Sequence, residues 1–139
     1  MRPLQVVQNY AARVVLKRSK FEHSAPLLFQ LHWLPIQRRI DYKILLITYK
    51  ACNNLAPAYI TSLLIPANTL ERLRSAEDTS LLHIDITNNV TMGDRAFSVY
   101  APKVWNTLPR VLRDAPSLNQ FKSLLKTYLF NIEFSGIPY

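Results

Sequence analysis

Apolar side chains recur at helical spacing along much of the chain, most clearly between Ile36 and Cys52. This stretch follows Pro35, which suits the first turn of a helix because the N–H that proline lacks has no helical partner there. Its apolar residues fall on two roughly opposite faces, formed by Ile36, Ile40, Ile44, Ile47 and Ala51 and by Tyr42, Leu45, Leu46 and Tyr49. A helix that is apolar on two sides is usually buried on two sides. We therefore predict that this helix is the central element of the fold.

Polar residues occupy the two strips between these faces. One flank carries Gln37, Asp41 and Thr48, and the other is a basic stripe of Arg39, Lys43 and Lys50. We expect the basic stripe to stay in contact with water. Asn53 and Asn54 follow the last apolar residue, and asparagine tolerates the left-handed backbone that ends a helix.

Further helices are predicted on both sides of the central one, over 3–19, 25–31, 56–65, 95–108 and 117–130. The first has an apolar face of Leu4, Val7, Ala11 and Val15. Start signals are a cap at Ser24, a cap at Asp94, and a capping box of Ser117 and Gln120. Pro102 should break or restart the fourth of these helices, which Pro109 then ends.

The stretches between the helices are polar or alternating. Residues 66–80 are rich in charged and hydroxyl side chains and should form a surface loop. Residues 81–86 alternate in polarity, which is typical of a strand. A turn at 87–89 and a partner strand at 90–92 would complete a β-hairpin, which we predict near residues 81–92. The tail from Asn131 should fray.

This pattern predicts a mainly α fold, a single helical domain of about five to six helices with that small hairpin. The chain has 139 residues, with two glycines against nine prolines, and an all-β domain usually needs more glycine for its turns. Four regions follow from the pattern: a helical region at 1–65, a polar loop and hairpin at 66–92, a C-terminal helical region at 93–130 and a tail at 131–139. No apolar run reaches the roughly 18 residues of a membrane span.

The net charge of +8 is unevenly spread along the chain. Residues 1–50 carry nine Lys or Arg against two acidic residues, whereas 71–100 carry three against five. A positive field of this kind favours polyanions, either nucleic acid or an anionic membrane surface, although it also serves solubility.

Catalytic and metal-binding motifs are missing from the sequence. The two glycines lie 43 residues apart, so no phosphate-binding loop is present, and the three histidines have no ligand spacing with the single Cys52. The acidic residues are scattered, whereas a two-metal polymerase site needs converging carboxylates. We expect no catalytic residue, no metal and no cofactor. A single cysteine also rules out an internal disulfide framework and favours a reducing compartment.

Basic residues interleaved with aromatic ones remain as the candidate chemistry. The candidates are Arg13, Lys17 and Lys20 on the first helix, Arg38, Arg39, Lys43 and Lys50 on the central helix, Arg72 and Arg74 in the loop, and Arg95. Each could contact a phosphate, and Tyr42 and Tyr49 could stack on bases. The alternatives are a solvated surface for the basic residues and a second buried face for the two tyrosines.

An ordered series of motifs runs through almost the whole chain. It comprises QNYAARVVL at 8–16, LHWLPIQRRIDYKILLITYKA at 31–51, LAPAYITSLL at 55–64, LRS at 73–75, GDRAFSVYAPKVWNTLP at 93–109 and FKSLLKTYLF at 121–130. This series resembles the C-terminal region of reverse transcriptases from non-LTR retrotransposons (LINE elements) of the jockey and chicken-repeat type.

The resemblance implies that the first part is thumb-like, a helical element that packs against the template–primer duplex, and that the rest helps to hold element RNA or target DNA. The family's polymerase carboxylates lie upstream of the residues matched here, so no catalytic role is carried over to this chain. By position, Arg13, Lys17, Arg38, Arg39 and Lys43 are the implied backbone contacts. The start at Met1 leads us to expect a truncated element copy.

The expected function is therefore that of a non-catalytic fragment of a retrotransposon RNA-directed DNA polymerase. It would bind RNA or an RNA–DNA hybrid through basic helix ridges, without base specificity. The alternatives are a protein-interaction module, docking on a polymerase palm or on a second copy through its apolar faces, and a peripheral membrane-binding domain. The expected location is intracellular, nuclear or cytoplasmic, the nucleus following from the resemblance alone.

Overall fold

The fold is known from a computed structural model, which describes residues 2–67, 80–84 and 93–136. In these ranges the helices are α1 (Arg2–Val15), α2 (Ser24–Gln30), α3 (Ile36–Cys52), α4 (Ala58–Thr61), α5 (Phe97–Asn106), α6 (Arg110–Arg113) and α7 (Leu118–Phe134). A 3-10 turn covers Gly93–Arg95. The prediction of a mainly helical fold is confirmed. The chain divides into two compact units, unit 1 with 1–42 and 125–139 and unit 2 with 43–124.

Unit 1 is built around a small apolar cluster. Its buried members are Ala12, Leu27, Leu28 and Phe134, and Leu16, Phe29, Leu31, Trp33 and Phe130 pack against them. The rings of Phe29 and Phe130 stack with centroids 5.4 Å apart. Because Phe134 belongs to this cluster, α7 continues to that residue. The expectation that the chain frays from Asn131 is therefore wrong between Asn131 and Phe134. Residues 137–139 lie outside the described ranges.

In the same unit, α1 packs through Ala12 and through two polar side chains. Gln8 is buried, and its Nε2 donates to the Leu34 carbonyl at 2.9 Å. The Oε1 atom of Gln5 accepts the Ile36 N–H at 2.9 Å, which satisfies a backbone donor in the first turn of α3. The buried side of α1 is therefore not the apolar face predicted from the sequence. That face is exposed, with Leu4 at 60% and Val7 at 65% of full accessibility.

Unit 2 is centred on three aromatic rings. Tyr49 and Phe121 stack with centroids 4.2 Å apart, and the ring of Trp105 lies 6.0 Å from that of Phe121. The Tyr49 hydroxyl donates to the Ala115 carbonyl at 2.7 Å, and the Trp105 indole N–H donates to the Ser80 carbonyl at 2.8 Å. Both polar groups are thus satisfied within a buried aromatic cluster.

The two ends of α3 are as predicted. It begins at Ile36 and ends at Cys52, and Asn54 has the left-handed backbone, with φ of 56°, that stops it. Its burial differs from the sequence pattern, because Asp41 and Thr48 of the polar flank are buried whereas Ile47 is exposed.

Local partners explain how α3 buries these two polar side chains. The Asp41 carboxylate accepts the Gln37 amide at 3.2 Å and lies 3.5 Å from Arg38. The Thr48 hydroxyl donates to the Ile44 carbonyl at 2.9 Å. A polar group that keeps a hydrogen bond can be buried at little cost.

The N-terminal helix boundaries differ from prediction in three places. Helix α1 ends at Val15 rather than near residue 19, because the backbone of Lys17 is left-handed. Ser24 is the first residue of α2 rather than its cap, and His23 holds the cap position without a side-chain hydrogen bond. Helix α4 is a single turn, Ala58–Thr61, in place of the predicted 56–65.

The C-terminal boundaries also differ. Ala96, not Asp94, precedes α5, and Pro102 lies inside that helix without breaking it. Asp94 instead accepts the Lys103 ammonium at 2.8 Å. Helix α6, directly after Pro109, was not predicted. At the start of α7, the Ser117 hydroxyl accepts the Gln120 N–H at 3.3 Å, which is one half of the predicted capping box.

The predicted hairpin near 81–92 is not formed by the residues that can be described. Leu82 makes a single antiparallel bridge with Pro66, and the Asn106 amide holds the Leu82 backbone, accepting its N–H at 3.0 Å and donating to its carbonyl at 2.7 Å. Leu82 is therefore paired with Pro66. The rest of the hairpin, 85–92, and most of the predicted loop, 68–79, lie outside the described ranges.

Candidate nucleic-acid-binding surface

The basic stripe of α3, formed by Arg39, Lys43 and Lys50, is accessible to solvent. Arg39 and Lys43 are exposed and Lys50 is half-buried. None of their three side chains has a hydrogen bond or an ion pair within the described part of the chain. At about 1.5 Å of rise per residue, the stripe is about 16 Å long, which matches about five steps along one strand of a duplex.

Arg38, one residue before the stripe, is held inside unit 1. Its Nε lies 2.9 Å from Glu133 Oε2, and its Nη1 lies 3.5 Å from Asp41 Oδ2. The hydrogen bond to Glu133 is the main reason that the pKa of Arg38 is raised above its ordinary value. A phosphate would have to compete with two carboxylates for this guanidinium, so Arg38 is a weaker candidate than Arg39.

Arg13, Lys17 and Lys20 do not form the helical ridge that the sequence predicts. The Arg13 guanidinium donates from Nε and Nη2 to the Glu22 carbonyl, at 3.1 and 2.8 Å. Lys17 follows the end of α1, with a left-handed φ of 53°, and Lys20 lies beyond it, with its Nζ 5.0 Å from the Phe21 ring centroid. Three residues at helical spacing cannot share a helical face once the helix has ended between them.

The remaining candidates are separate from these sets. Arg95 is exposed in the 3-10 turn Gly93–Arg95. Arg72 and Arg74 lie outside the described ranges. Tyr42 is half-buried, and Tyr49 is only 2% exposed with its ring against Phe121. Tyr49 therefore belongs to the core, and the alternative that it stacks on bases is wrong.

Other chemistry has little support in the described ranges. They contain no group of three or more His, Cys, Asp or Glu side chains arranged to hold a metal ion. They also contain no helix that combines the length and the apolar character needed to cross a membrane. The feature that the sequence pattern missed is the outward direction of the apolar face of α1. Its one sequence signal is the polar set Gln5, Gln8 and Asn9 on the opposite side of that helix.

Within the described ranges, the α3 stripe is thus the one group of predicted contact residues that lies on a helix and whose side chains have no hydrogen bond or ion pair. Comparison of the chain with protein-family models, with curated proteins and with solved structures gives no match.

Proposed function

We propose that this chain is a non-catalytic, thumb-like part of a retrotransposon RNA-directed DNA polymerase that binds RNA or an RNA–DNA hybrid through the α3 stripe. The observation that supports it best is that Arg39 and Lys43 are exposed one turn apart and that their side chains have no partner among the residues that the structure describes. The sequence resemblance assigns the same helix to an element that packs against a duplex. An intracellular setting, nuclear or cytoplasmic, belongs to the same proposal.

The chemistry of the stripe favours the phosphate backbone over the bases. Arginine can bind a phosphate with two parallel N–H donors, and lysine acts as a point charge. Both are carried by a helix that is already ordered, so little backbone conformational entropy is lost on binding. Three such contacts would give a log–log salt slope of roughly 2.7, at about 0.9 for each phosphate neutralised on a B-form duplex.

The test is a titration of the full chain against a labelled RNA–DNA hybrid at several salt concentrations. We expect Arg39→Glu combined with Lys43→Glu to weaken binding at low salt and to lower the slope by roughly 1.8, because two phosphate contacts are lost. Arg39→Lys should retain most of the slope, because the charge remains while the bidentate geometry is lost.

A matched control separates a local contact from the general effect of net charge. Lys122→Glu combined with Lys126→Glu makes the same change in charge, also one turn apart on a helix of 17 residues. It should weaken binding far less than the Arg39 and Lys43 pair does. If the two double variants weaken binding equally, the chain attracts polyanions through its total charge, and the α3 stripe is not the binding surface.

A further inference from the structure

The outer side of α1 is apolar over its whole length. The exposed residues Leu4, Val6, Val7, Tyr10, Val14 and Val15 are each at least half accessible, and Val14 reaches 75%. The side of the helix that packs on unit 1 carries the polar residues Gln5 and Gln8 beside the small, fully buried Ala12. An exposed apolar side of this extent marks a surface that an apolar environment would cover.

The basic residues near this apolar face indicate which kind of apolar environment would cover it. The first 22 residues contain five basic residues, Arg2, Arg13, Lys17, Arg18 and Lys20, and one acidic residue, Glu22, whose carboxylate lies 3.9 Å from Arg18. Lys17 and Lys20 are exposed just beyond the end of the helix. Phe21, next to them, is 84% exposed. Two copies facing each other through α1 would bring these like charges together, whereas an anionic surface would neutralise them.

We infer that α1 and the turn after it, residues 2–21, form a peripheral binding site for an anionic lipid surface. A helix with a fully apolar side bordered by Lys and Arg lies in the plane of the bilayer, its apolar side among the acyl chains and its basic residues at the headgroups. Leu4, Val7 and Val14 insert, and Tyr10 lies at the polar boundary where its hydroxyl stays hydrated. Lys17 and Lys20 pair with anionic headgroups. The site is independent of the α3 stripe.

The experiment is a sedimentation titration of the full chain with vesicles of phosphatidylcholine alone and of phosphatidylcholine with phosphatidylserine at 3:1. We expect binding to the mixed vesicles and little to the neutral ones. Lys17→Gln combined with Lys20→Gln should weaken binding by roughly fivefold for each charge removed, since each basic residue near such a surface contributes about that factor.

The insertion of the apolar side is tested without changing the charge. Val14→Gln should weaken vesicle binding by roughly five- to tenfold, because a valine that inserts is no longer covered by lipid. Val111→Gln is the matched control, because Val111 is also 75% exposed but lies on α6. Val7→Gln combined with Val14→Gln should abolish vesicle binding and leave the affinity for the RNA–DNA hybrid unchanged.

Three outcomes overturn the inference. The first is no binding to the mixed vesicles. The second is equal loss in the Val14 and Val111 variants, which shows that a glutamine in place of any exposed valine weakens vesicle binding to the same extent. The third is a doubled mass in sedimentation equilibrium that Val7→Gln with Val14→Gln restores to that of one chain, which makes the face an interface between two copies.

Discussion

Removing the hydroxyl of Tyr49 is the sharpest test of the packing in unit 2. The group donates to the Ala115 carbonyl at 2.7 Å, and both residues are buried, at 2% and 7% exposure. Tyr49→Phe keeps the ring stacked on Phe121 and removes one donor. The carbonyl then stays buried without its side-chain partner, which costs about 1–3 kcal/mol. Other contributions from Tyr49 are retained, so this figure is the whole expected change in unfolding free energy.

Urea unfolding followed by circular dichroism measures this change. With a slope of about 2 kcal/mol per molar urea, the midpoint should fall by roughly 0.5–1.5 M while the slope stays constant. Tyr42→Phe is the control, because Tyr42 is half-buried and its hydroxyl has no hydrogen bond within the described part of the chain. It should change stability by less than about 0.5 kcal/mol. Equal midpoints for the two variants would refute the assignment of Tyr49 to a hydrogen-bonded core position.

Two further predictions concern polar side chains that hold backbone groups. Gln8→Ala leaves the Leu34 carbonyl without its side-chain donor and should destabilise the chain by about 1–3 kcal/mol in the same urea assay. Gln30 is exposed, so Gln30→Ala should have almost no effect. Equal effects of the two variants would show that the Gln8 contact is not made in solution. Asn106→Asp removes the donor to the Leu82 carbonyl and places a carboxylate beside it, so the thermal midpoint should fall by several degrees. An unchanged midpoint would mean that the Leu82 segment is not held by residue 106.

The ends of α3 could be predicted because each is set by adjacent residues. Pro35 fixes the backbone at the start, and Asn54 accepts the left-handed conformation at the end. Exposure of the basic stripe was predicted for a similar reason, since no neighbouring acidic side chain can pair with Arg39 or Lys43 on their own face. Signals of this kind lie within one or two helical turns.

The side of each helix that faces the core could not be predicted from spacing alone. In α1 the choice depends on the Leu34 carbonyl and the Ile36 N–H, two backbone groups of another segment that bond to Gln8 and Gln5. The sequence pattern counts glutamine as polar and assigns it to solvent. Asp41 illustrates the same limit, because its burial depends on pairing with neighbours that are polar themselves.

The candidate site was predicted only in part, again because of distant partners. Arg38 and Arg39 are equivalent in the sequence, but Glu133, 95 residues from Arg38, pairs with one of them and not with the other. Arg13 is similarly held by a backbone carbonyl, a group that no residue pattern reveals. Such contacts follow from the tertiary fold, so they distinguish residues that spacing treats alike.

The position of the two tryptophans makes each compact unit separately visible by fluorescence. Trp33 lies in unit 1 at the edge of the apolar cluster and is half-buried, whereas Trp105 lies in unit 2 and is 1% exposed. An indole shielded from water emits at shorter wavelength, so Trp105 should give the bluer of the two native spectra. A chain with Trp33→Phe then reports the denaturation of unit 2 through a red shift of its only indole. A chain with Trp105→Phe reports unit 1 in the same way, and the two titrations give each unit its own midpoint.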